Sequence, residues 1–460
     1  MASQLRIHRR QRGIVLILTM ILLVVFASLA VSMTTLSDMN LQMADNQRGG
    51  DSARYAAESG VEVLRYWLSQ VTLSGNLAEE DYLTAVHSFL QTDCNLPSLP
   101  ALAASTITLP VVSLDSASQQ AFSAILSLVD ANTLQLTVTG QYDGITRTIQ
   151  TDYDFDNRAN SVFNYGVASR GALELQGNIL MTGANIAIES NAYIESFNSI
   201  LALDIIGNSQ IGGSVKIANP LATVSIQGGQ AGVGGETGQD AIDNHVEIGV
   251  PPTEFPEPVP SMFESYATNI MDANMDTSAD ASYDNLRIPA GLNPHFSGNV
   301  ELRGVIFIET PNVVTFTGSV DITGMIVGDG DWTDNSATNE INLIGNVTGS
   351  SVANLPSESQ FNGLHDQTGT FIMAPGFAVS LQGNSSLVSG SIAANGVSFL
   401  GNAGGTINGS VINYSDEPMI ISGNSDLFFN RSGLDEIPAG FLPHVVLYYD
   451  ATSYREVIAN

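Results

Sequence analysis

The first strong pattern along the chain is an uninterrupted apolar run, Ile14 to Val31 (IVLILTMILLVVFASLAV), relieved only by Thr19 and Ser28. At about 1.5 Å of rise per residue, a helix of that length reaches about 27 Å, close to the apolar thickness of a bilayer. Apolar positions then thin to a stripe at spacings of three and four: Leu36, Met39 and Met43, then Ala53, Ala57, Gly60, Val61, Leu64, Trp67 and Leu68. The pattern predicts one helix from Ile14 to about Leu68, with Gly49-Gly50 as its weak point. Ser74-Gly75-Asn76 breaks it. Residues 71–160 read as a small β head, with a proline-punctuated loop from Asn95 to Pro100 and a closing hairpin. The hairpin's strands are Thr133–Val138, which alternates with period two, and Ile145–Asp154. Asp143-Gly144 between them is a type I′ turn signal, since both central positions want positive φ.

From residue 161 the rhythm changes. Residues 1–160 hold seven glycines and residues 161–460 hold 36. They punctuate a recurring apolar-x-apolar-x-Gly pattern, often followed by Asn: Leu173, Leu175, Gly177; Leu203, Ile205, Gly207; Val224, Ile226, Gly228; Val314, Phe316, Gly318; Ile341, Leu343, Gly345; Val379, Leu381, Gly383; Val397, Phe399, Gly401; Met419, Ile421, Gly423. Short strands ending at a corner glycine at intervals near 20 residues predict a right-handed parallel β-helix over 161–460, with inward apolar residues stacking from level to level. Aligned asparagines can then form hydrogen-bonded ladders. A β-sandwich with antiparallel Gly-Asn turns is the rival reading. Val250 to Ser261 (VPPTEFPEPVPS) carries five prolines and cannot be interior strand, so it lies on the surface or links two packings. A short helix is expected from Ser261 to about Met275.

Charge separates the two ends of the apolar run. Residues 1–12 carry four arginines and no acid, or +4, whereas the remaining 448 residues carry 11 bases and 46 acids, or −35. Positive charge before the run places the N-terminus in the cytoplasm and the body across the membrane. A cleaved secretory signal and a retained anchor both begin this way. The run exceeds the usual 7–15 residues of a signal's apolar region, and Ala27 to Ala30 offers a weak cleavage site, so the pattern favours an anchor from Ile14 to Val31.

The N-terminal residues resemble a known family. Arg10-Gln11-Arg12-Gly13 before the apolar run, Asn46-Gln47-Arg48, and Ala56-Ala57-Glu58-Ser59-Gly60 are similar to the start of PilX-type minor type IV pilins. The stretch Gly140 to Arg147 also resembles the terminal hairpin of pilin heads, so an α+β pilin-like module ahead of the β-helix is implied. The resemblance implies cleavage by prepilin peptidase between Gly13 and Ile14, an inner-membrane helix, and assembly with other minor pilins at a pilus on the cell surface. Major pilins place a glutamate five residues after the cut; here that position is Leu18. PilX-type minor pilins and the K-type pseudopilins of type II secretion share this lack, which points to a tip or initiating position. The resemblance therefore implies a non-enzymatic role in assembly and adhesion.

Candidate chemistry is sparse. A net charge of −31 and a single lysine, Lys216, exclude nucleic acid as a partner, because phosphate binding needs clustered cations. The lone Cys94 excludes an intramolecular disulfide or a multi-cysteine zinc site. The six histidines are scattered, and Gly228 to Gly238 (GGQAGVGGETG) lacks a phosphate loop's Lys-Ser/Thr ending and reads as a flexible connection. Asp152, Asp154 and Asp156 alternate, as on a solvated edge strand. A surface-tethered polysaccharide-active β-helix is the enzymatic alternative; it would need a base such as Arg287 or Arg303. The best metal candidate is calcium at Asp329, Asp331, Asp334 and Glu340, which occupy positions one, three, six and twelve of an EF-hand-like loop whose sixth position should be glycine.

Overall fold

The predicted helix forms without a break. In the computed structural model, which describes residues 8–92, 102, 105–115, 119–333, 338–431 and 437–457, helix α1 runs from His8 to Leu68. Cys94, the loop Asn95 to Pro100 and Arg6 lie outside the described residues. The chain divides into one unit of residues 1–157 and 445–460 and another of residues 158–444.

The first unit is a helix packed on a sheet. Strands β1 (Thr72–Ser74), β2 (Thr106–Asp115), β3 (Gln120–Leu128), β4 (Thr133–Tyr142) and β5 (Ile145–Arg158) join the C-terminal strand His444–Val457. The order across the sheet is β1, the C-terminal strand, β5, β4, β3, β2. The β4–β5 hairpin closes on Asp143 and Gly144 with φ of 45° and 79°, as the turn signal requires. Ala57, Val61, Leu64 and Leu68 of α1 pack against Phe122, Leu136, Val138 and Ile149 of the sheet, and Leu447 from the C-terminal strand joins that core. Gly49-Gly50 is no weak point: both are buried, and a Cβ on Gly49 would lie 2.5 Å from Ile145 Cδ1, so the pair permits close approach to the sheet. The expected edge on β5 is also corrected, because the C-terminal strand covers it. Asp152 and Asp154 instead accept from Gln135 Nε2 (3.0 Å) and Thr133 Oγ1 (3.2 Å) on β4. The second unit therefore ends before the chain does, and residues 161–460 are not a single element.

The second unit is large, β-rich and built on parallel pairing, which removes the antiparallel sandwich. All eight glycine-ended repeats fall in one nine-stranded sheet, in the spatial order Thr223–Gln227, Leu201–Gly207, Leu173–Gly177, Met419–Gly423, Val397–Phe399, Ala378–Leu381, Glu340–Leu343, Val313–Phe316, His295–Phe296. The pairing is parallel throughout this sheet. Inward residues stack in columns, such as Met419 on Leu173 on Leu203, and Phe296 and Phe316 stack with ring centroids 4.8 Å apart. Between visits to this sheet the chain contributes strands to a second, twenty-stranded sheet.

The levels are not in chain order. The chain enters in the middle of the stack at Leu173–Gly177 and builds outward to Thr223–Gln227. It resumes at the other end, then returns level by level until Met419–Gly423 pairs with Leu173–Gly177. The seam between them is continuous. Asn208 Nδ2 donates to Asn178 Oδ1 (2.7 Å), Asn178 Nδ2 to Asn424 Oδ1 (2.9 Å), and Asn424 Nδ2 to Asn402 Oδ1 (3.4 Å), so the expected ladder crosses it.

Two local expectations change. Gly234 and Gly235, with φ of 65° and 83°, make a tight turn between strands Gly232–Val233 and Glu236–Thr237 rather than a flexible link, and a helix, Gly238–His245, follows. The helix after the prolines spans only Ser261–Glu264, because Asn269–Ile270 is drawn into parallel pairing with Leu286 and Arg287.

Candidate functional site

Residues Ile14 to Met43 make the exposed half of α1. Ile14, Leu18 and Val31 are 64%, 60% and 66% exposed, and Leu36, Met39 and Met43 are exposed too. Within the Ile14–Val31 run both polar side chains, Thr19 and Ser28, are satisfied within the helix. The Thr19 hydroxyl donates to the carbonyls of Val15 (3.0 Å) and Leu16 (2.9 Å), and Ser28 donates to Val25 (2.8 Å). A helix whose backbone and hydroxyls need no outside partner suits an apolar surrounding. It is long and apolar enough to cross a membrane, and it fits the membrane anchor of a pilin. Gly13 and Ile14 both lie within it, seven residues or fewer from its first described turn.

From Gly49 onward the character reverses. Ala53, Ala56, Ala57 and Val61 are buried, and Gly140 lies so close that a Cβ there would sit 2.1 Å from the Ala53 carbonyl oxygen. The small residues that made the sequence signature are those that let backbone meet backbone. Arg54 Nε pairs with Glu58 one turn on (3.0 Å).

With this arrangement in view, similarity to known proteins narrows the reading. Residues 12–62 match the PilX N-terminal family. The chain has a PilX-type, minor-pilin-like N-terminus. No curated protein matches the chain. Among solved structures, the crystal structure of the competence-associated pilin ComZ from Thermus thermophilus is similar at 11% identity and a TM-score of 0.28, covering 89% of this chain and 98% of that one. The PilX match covers the exposed half of α1 and most of its docked half, and it ends before the second unit begins at residue 158.

The described calcium candidates, Asp329, Asp331 and Glu340, do not converge. Asp329 Oδ1 accepts from the Thr310 N–H (2.6 Å), Asp331 Oδ1 from the Thr333 N–H (2.8 Å) and hydroxyl (2.7 Å), and Glu340 Oε2 from Asn342 Nδ2 (2.9 Å). Asp334 lies outside the described residues. Among the described residues, no three His, Cys, Asp or Glu side chains gather around one metal position.

Arg287 and Arg303 are locked in ion pairs. Arg287 Nε meets Glu309 (2.6 Å) and its Nη2 meets Glu264 (2.8 Å); Arg303 grips Asp284 through Nε (2.6 Å) and Nη2 (2.7 Å). These carboxylates raise both guanidinium pKa values above their ordinary level, chiefly through hydrogen bonds, which is the opposite of what a catalytic base needs.

The sequence reading missed the aromatic cluster that holds the proline segment. Phe255 lies 6.1 Å from Tyr193 and 5.9 Å from Tyr414 between ring centroids, and the Arg170 guanidinium stands over Trp332 (4.4 Å) and Phe255 (5.1 Å). Tyr193 Oη accepts from the Thr253 N–H (2.8 Å), and Tyr414 Oη donates to the Pro256 carbonyl (2.6 Å). Burial pushes the Tyr193 hydroxyl up to about 12, so it stays protonated at every physiological pH. The proline segment thus lies over the outer face of the large sheet and carries the chain from one end of the stack to the other. Its partners, Arg170, Tyr193 and Tyr414 together with the backbone of Gly440 and Leu442, are scattered along the chain with no period, so the sequence pattern does not reveal them.

Proposed function

We propose that the chain is a minor type IV pilin that carries a right-handed β-helical solenoid inserted between two neighbouring strands of its pilin head. The observation that carries this reading is α1 itself. One continuous helix presents an apolar exposed half beginning at Ile14 and a small-residue half docked on a sheet, within a PilX-type N-terminus. On this reading prepilin peptidase removes residues 1–13, and Ile14 to Val31 holds the subunit in the inner membrane with the arginine-rich leader in the cytoplasm. The helix later packs among other pilins in the filament. Leu18, where a bulk subunit would carry a glutamate, removes a charge pair that would need a partner in an apolar setting. That supports a tip or initiating position, and a bulky solenoid is poorly suited to repetition along a shaft. The role is structural: assembly and contact with surfaces or partner proteins, outside the cell.

N-terminal sequencing of the mature protein tests the core of this reading. A methylated Ile14 supports it, and a start after Ala30 overturns it. Immunogold labelling of purified filaments tests position: label confined to ends supports the tip, and even label along the shaft removes it.

A further inference from the structure

A polar groove runs along one corner of the stack, where the nine-stranded sheet gives way to the large one. Its volume is about 450 Å³, and it is lined by side chains including Thr317, Gln382, Asn299, Asn346, Asn384 and Asn402. These come from five successive levels, so the groove spans about 19 Å at about 4.8 Å per strand. Its floor is bare backbone: a Cβ on Gly345 would lie 1.6 Å from the Gly318 carbonyl oxygen, and one on Gly383 would lie 1.7 Å from that of Gly345. Of eleven lining residues none is charged and only Ile344 is aliphatic. In a chain with 46 acids against 15 bases, that neutrality is a local property.

We propose that this groove binds an uncharged glycan chain lying across the strands, with the corner amides reading successive sugar hydroxyls. Amide side chains present donors and acceptors together, as hydroxyl-rich ligands do. The asparagine ladder loosens here: Asn384 Nδ2 to Asn346 Oδ1 is 3.3 Å and Asn424 to Asn402 is 3.4 Å, against 2.7 and 2.9 Å beyond the groove. Each rung uses one amide hydrogen and one oxygen lone pair, so every asparagine of the ladder keeps a donor and an acceptor for a ligand. A nucleic acid would need cations, and a peptide would need apolar anchor pockets; the lining supplies neither. The groove runs into a second hollow of about 530 Å³ that shares Asn299, Ser319 and Asn346 and adds Asp280, Glu301 and Asp321. Glu301 and Asp321 are register partners on adjacent strands. These carboxylates accept hydroxyl hydrogen bonds and repel anionic polymers, which selects neutral glycans over acidic ones.

This inference deepens the adhesive part of the proposed function and rests on it for its biological setting. Its test does not depend on filament assembly, so failure here leaves the pilin reading standing. The detergent-solubilised full chain would be titrated calorimetrically with cellohexaose, chitohexaose, maltohexaose and an alginate hexamer. The expected result is binding of at least one neutral probe, weakened tenfold or more in Asn346→Ala/Asn384→Ala and altered less than twofold in Asn208→Ala. Should the double variant unfold, Gln382→Trp fills the groove from the sheet surface and should abolish binding. The proposal is overturned if no neutral probe binds, if the acidic probe binds as well as the neutral ones, or if Gln382→Trp binds like the unmodified chain.

Discussion

Gly140 and Gly144 lie four residues apart and constrain the head in different ways. A Cβ on Gly140 would meet backbone of Ala53 and Ala57 at 2.1 and 2.3 Å, so Gly140→Ala must push α1 off the sheet. The expected cost is about 1–3 kcal/mol or more, read from chemical denaturation of the first unit. Gly144 has open space around it but φ of 79°, so Gly144→Ala should cost only about 1–2 kcal/mol from its backbone conformation. The turn role of Gly144 is legible in the sequence because Asp-Gly between alternating strands has a local meaning. Gly140 is not, because what it touches lies more than 80 residues away. Ion pairs behave likewise. Glu309 is held below its ordinary pKa by its hydrogen bond to Arg287, and Glu254 by the His444 imidazole 2.9 Å away. A depressed carboxyl stabilises the fold fully above its unfolded value near 4.5, and that stabilisation is lost as pH falls through the folded value. Glu309→Gln should therefore flatten the stability profile below about pH 4.5, measured by thermal unfolding across an acid series.

At the scale of elements, the proline segment is the clearest case of tertiary context overriding local pattern. Five prolines told that it could not be interior strand, and they left open what it rests on. It rests on Phe255, sandwiched by Tyr193 and Tyr414. Phe255→Ala, at a half-buried ring, should cost about 1–3 kcal/mol, while Tyr414→Phe, which removes only the hydrogen bond to Pro256, should cost about 1 kcal/mol. Faster amide exchange at Thr253 in the first variant would locate the damage in the segment. The glycine-ended strands were legible because each repeat carries its own corner and its own inward residues. The level formed by His295–Phe296 has the same role without the full pattern, since Phe296 and Gly298 remain but the preceding inward position is Pro294. Order within the stack was not legible at all. Every repeat fits beside every other, so the pattern does not specify which strand is Met419–Gly423's neighbour.

For the whole molecule, the second unit is an insertion. β5 and the C-terminal strand are neighbours in one sheet, and Asn160 Nδ2 donates to the Leu442 carbonyl (2.9 Å), so the chain leaves and re-enters side by side. Replacing residues 161–441 with a short Gly-containing turn should therefore leave the first unit with a single cooperative unfolding transition, checked by calorimetry. The same connectivity sets an order of events during synthesis. Leu173–Gly177 emerges about 240 residues before the strand that completes it, Met419–Gly423. Until then its parallel edge stands open, and non-local pairing of this kind is slow. A chain truncated before residue 419 would keep that edge permanently, able to capture the matching strand of another copy. Asn178, which donates across the seam to Asn424, is thus a latch that waits for the last of the nine strands to emerge.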